Sequence, residues 1–169
     1  METSFEVNAL KQAVKHGIRV NYEKFGEVSP IVFILIDGKP RIQPIPNLFL
    51  ETNEGKEKFM ATLRLVCKDT SVSCAGIVIE AWARSFSSQE DHLAQLLMDG
   101  NMKVRDLKEK DDVIVMIFAT PDKEEGFVYK VDEKNKKISM EEPMKAGFSE
   151  GIFSNFFELR TKNEKNEHN

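Results

Sequence analysis

Two cysteines in 169 residues, Cys67 and Cys74, are too few for a disulfide scaffold. They form no C-x-x-C pair and have no histidine at ligand spacing, so neither a zinc knot nor a dithiol redox motif is written here. Nine glycines and six prolines are too few for a low-complexity chain. Basic residues do not outnumber acidic ones: 24 Lys and Arg face 28 Asp and Glu, a net charge of −4. Nucleic-acid binders and binders of acidic membranes normally carry a basic excess, so nucleic acid is disfavoured as a partner. Long apolar runs are missing too. The most apolar stretch, Ile31 to Ile36, falls far short of the ~20 residues that cross a bilayer, so no membrane is expected. The opening Met1-Glu2-Thr3-Ser4-Phe5-Glu6 has no basic stretch ahead of an apolar one, and the chain reads as cytoplasmic. Phosphate-binding glycine loops and the G-x-S-x-G elbow are absent. No cofactor and no metal is expected.

What is present suits a globular domain. Hydrophobic residues make up 41% and charged residues 31%, and ~170 residues can bury roughly 70% of the surface their unfolded chain exposes. Thr3 and Glu6 have capping-box spacing. Phe5, Leu10, Ala13 and Val14 then make a helical stripe that Gly17 is expected to stop. Ile18, Val20 and Tyr22 alternate like a short strand. Ile31 to Ile36 predicts a strand, and Asp37-Gly38 predicts a hairpin turn. The returning strand, Lys39 to Pro46, carries three prolines and belongs at a sheet edge.

Thr52 or Asn53 caps an amphipathic helix whose apolar positions are Phe59, Met60, Leu63, Val66 and Cys67. Phe59, Leu63 and Val66 are expected to face Ile77 or Ile79. Ser73 to Arg84 alternates as a strand, with Gly76, Val78, Glu80, Trp82 and Arg84 on one face. A long polar stretch, Ser85 to Asp111, follows. Strands over Asp112 to Ala119, Phe127 to Val131 and Lys137 to Met140 form a meander. A short helix over Gly151 to Leu159 gathers Phe153, Phe156 and Phe157 near Phe148. The predicted fold is α+β, an antiparallel sheet of five or six strands with helices packed mainly on one face. One domain spans 1–160, and 161–169 is a disordered polar tail.

Three constellations could carry function. Glu80, Trp82 and Arg84 share a strand face at i, i+2, i+4, where a carboxylate, an indole and a guanidinium could form a binding patch. Asp91, His92 and Arg105 lie in the long polar stretch, the kind of segment that often carries binding. Lys11, Lys15 and Arg19 fall at i, i+4, i+8 and are expected to form a solvated helix face.

The segment from Lys58-Phe59 to Glu80-Ala81-Trp82, followed by the polar loop with Arg105 and an apolar strand, resembles a pattern in uncharacterised prokaryotic and phage proteins. In these, an amphipathic helix leads into a strand ending in Glu-Ala-Trp. The resemblance covers roughly residues 56 to 120. It brings no known activity and implies a bacterial or phage origin.

These readings converge on a small accessory or regulatory protein without a catalytic centre, acting by protein–protein contact. Its binding residues would be Glu80, Trp82, Arg84, His92 and Arg105, and the sequence names no particular partner. The alternative is a small hydrolase using Glu80 with Asp91 and His92. A third reading, nucleic-acid binding by stacking on Trp82 and Tyr129, lacks the basic groove such binding needs.

Overall fold

A computed structural model describes residues 4–83, 111–144 and 153–160. The chain opens with helix α1, Phe5–Phe25. Its N-cap is Ser4, whose hydroxyl accepts the Val7 N–H. The helix runs through Gly17 and ends only at Gly26, a left-handed residue (φ 72°) whose N–H reaches the Tyr22 carbonyl at 2.7 Å. The expected strand over Ile18 to Tyr22 is therefore the second half of a helix. Val7, Leu10, Val14, Ile18 and Tyr22 form one continuous buried stripe, and its burial outweighs the ~1 kcal/mol that an interior glycine costs.

Strands β1 (Ile31–Ile36), β2 (Lys39–Pro44), β3 (Val72–Ala83), β4 (Asp111–Ala119), β5 (Glu124–Asp132) and β6 (Lys137–Pro143) form one sheet in the order β2-β1-β3-β4-β5-β6. Every neighbouring pair is antiparallel. Asp37 and Gly38 both take positive φ, as a two-residue hairpin turn requires. The proline-bearing β2 sits at an edge, where its missing donors leave no ladder bond unmade. Helix α2, Asn53–Cys67, is capped by Thr52, which accepts the Gly55 N–H at 3.0 Å. It connects edge strand β2 to central strand β3.

The helices are divided between the two faces rather than gathered mainly on one. Helix α1 covers Phe33, Val78, Ile114, Met116, Phe118 and Tyr129. On the opposite face α2 buries Met60, Leu63 and Cys67 against Ala75, Ile77 and Ile117. Phe59 is only partly buried, and Val66 points outward at 38% exposure. The division follows from period-two alternation: β3 and β4 carry apolar side chains on both faces, so each face needs a cover.

Residues 153–160 complete the second cover. Residues 153–155 are irregular, with Asn155 at φ 56°, Phe156 and Phe157 form a turn and 158–160 are helical, so within the described residues the helix expected over Gly151 to Leu159 starts only at Glu158. Phe156 and Phe157 are buried in the α2 core, so this aromatic cluster closes the molecule. Phe148 lies outside the described residues. Two arginines hold the turn to α2. Arg64 donates to the Ser154 and Asn155 carbonyls at 2.8 and 3.3 Å. The Arg160 guanidinium donates to the carbonyls of Cys67, Asp69 and Val72 just past the α2 C-terminus.

Candidate functional site

Because α1 extends past Gly17, Tyr22 and Phe25 reach the end of the sheet where β3 runs out and β4 begins. There β3 and β4 are paired through Glu80↔Ile114, Ala81↔Val113 and Trp82↔Asp112. The α1 C-terminus, these strand ends and the β5–β6 turn enclose a cavity of about 760 Å³. Its lining includes Tyr22, Phe25, Glu27, Glu80, Asp112 and Glu133. Lys136, also in the lining, lays its aliphatic stem about 3.7 Å from where a Cβ on Gly26 would lie. That close approach joins the α1 cap to the β5–β6 turn.

Glu80, which alternation assigns to one face of β3 with Gly76 and Val78, lines this cavity. Its Oε1 accepts the Val28 N–H at 3.1 Å, which fixes the loop from α1 to β1 against β3. Trp82 is placed by its backbone, opposite Asp112. Arg84, Asp91, His92 and Arg105 lie outside the described residues, so the structure brings only Glu80 and the Trp82 backbone together.

Sequence reasoning did not find the other carboxylates. Asp112 is brought in by the β3–β4 register, and Glu133 by the β5–β6 turn, which no local spacing connects to Glu80. The Glu133 carboxyl is held above the usual range by its hydrogen bond to Asp112 and by the Asp112 charge. The Tyr22 hydroxyl is also pushed up, first by burial and then by the charges of Glu133, Glu80, Asp132 and Asp112. The cavity is thus a carboxylate-rich pocket with an aromatic wall. Its described lining contains no serine, cysteine or histidine. Among the described residues, no three His, Cys, Asp or Glu side chains are grouped to hold a metal ion.

A second, mostly apolar groove of about 490 Å³ adjoins the first. Phe25 and Glu27 line both, and Ala13, Gly17, Ile42 and Val78 continue the groove between α1 and β1–β2. Phe25 is 59% exposed and Ile42 54% exposed.

The basic row on α1 turns inward instead of facing water. Lys11 Nζ lies 2.5 Å from Glu125, and Lys15 Nζ lies 3.4 Å from Glu141 and 3.7 Å from the Phe127 ring centroid. The Arg19 guanidinium is 5.9 Å from the Tyr129 ring centroid, and the Tyr129 hydroxyl donates to Glu141 at 2.6 Å. These cations clamp α1 to β5 and β6. Tyr129 is fully buried, so it is not a surface on which a base could stack. No protein-family model, curated protein or solved structure matches this chain.

Proposed function

We propose that the protein is an intracellular accessory or regulatory protein that acts by protein–protein contact and has no catalytic centre. The observation that carries this reading is the junction of the two cavities. An exposed Phe25 and Ile42 lie beside a ring of carboxylates on one side of the molecule. Interface cores favour aromatic side chains, and flanking charges set partner choice. The Glu-Ala-Trp end of β3, with its likeness to uncharacterised prokaryotic and phage proteins, borders this surface. We keep Arg84, and His92 and Arg105 of the long polar stretch, all of which lie outside the described residues, among the proposed binding residues.

The test is affinity capture from the native host with wild type, Phe25→Ser and Trp82→Ala, each checked for folding. A partner bound by wild type should be lost or weakened in both variants. For Trp82→Ala the cost should be about 2 kcal/mol or more. Folded variants that retain the same partners at wild-type affinity would sink the reading.

The hydrolase reading, Glu80 acting with Asp91 and His92, has one observation in its favour. The Glu133 carboxyl in the same cavity has its pKa raised by its hydrogen bond to Asp112 and by the Asp112 charge, and a raised carboxyl pKa is what general-acid catalysis uses. Turnover of an ester or glycoside that is abolished by Glu80→Gln would favour it over the contact reading.

A further inference from the structure

We draw no further inference here: the strongest candidate, the apolar groove between α1 and the β1–β2 hairpin where Phe25 and Ile42 are exposed, carries nothing, because among the described residues nothing in the structure shows what covers it.

Discussion

Gly76 stands at the centre of β3, between Phe33 on β1 and Phe118 on β4. The two rings stack over it with centroids 6.2 Å apart and planes inclined by 22°. A Cβ at position 76 would meet the Ile117 carbonyl oxygen and the edge of the Phe33 ring, with Phe33 Cε2 at 2.8 Å. Gly76→Ala sets two effects against each other. Alanine gains about 0.5–1 kcal/mol over glycine in a strand. Overpacking a filled core costs about 1–3 kcal/mol, and the upper end applies because a ladder carbonyl, unlike a side chain, has no alternative rotamer. The net loss should be about 2 kcal/mol. For a chain of this size that lowers the melting midpoint by about 4–8 °C. Circular dichroism melts and urea titrations of Gly76→Ala, Phe33→Leu and the double variant would measure it. Phe33→Leu should cost less in the Gly76→Ala background than in wild type, because the ring edge no longer collides there. An unchanged or raised midpoint for Gly76→Ala, or strict additivity in the double variant, would refute the packing argument.

Helix α2 offers a contrast between neighbouring positions. Leu63→Ala should destabilise by about 2–5 kcal/mol, while Val66→Ala should stay within about 0.5 kcal/mol, as read by chemical denaturation. For Glu125, burial alone would raise the carboxyl pKa, but hydrogen bonds and charge from Lys11 and Lys123 outweigh it and hold it low. A depressed folded pKa stabilises fully above the unfolded value of about 4.5. That stabilisation is lost as pH falls through the folded value. Stability measured against pH should therefore fall less steeply in acid for Glu125→Gln than for wild type. The thiols of Cys67 and Cys74 are buried and pushed up to about 12 by burial. Neither should be alkylated by iodoacetamide in the native protein at pH 8, whereas both should react in denaturant; native labelling seen by mass spectrometry would contradict their placement.

Strands and turns were legible because their signals are local. Asp37-Gly38, the prolines of β2 and the apolar runs of β1 and β4 act through residues adjacent in the chain. Helix α1 was misread at Gly17 because a glycine signals a helix end only when no packing continues beyond it, and Ile18 and Tyr22 supply that packing. The row Lys11, Lys15 and Arg19 has the same spacing whether solvated or clamped. Its partners, Glu125, Glu141 and the rings of Phe127 and Tyr129, lie more than a hundred residues away. Alternation assigns Glu80 to one face of β3 but carries no sign of a cavity; Asp112, Glu133 and Tyr22 meet Glu80 there through strand register and through the length of α1.

The turn at 153–160 has a consequence for biosynthesis. Phe156 and Phe157 plug the core beneath α2, and Arg160 satisfies carbonyls at the α2 C-terminus. Among the described residues, all six strands and both long helices precede this segment in the chain and are synthesised before it. Until they emerge, Ile77 and Ile117 lack part of their cover, and the nascent chain presents an apolar surface beside a finished sheet. Such surfaces recruit chaperones or promote association. Completion of the second core is thus timed by the arrival of one short aromatic turn.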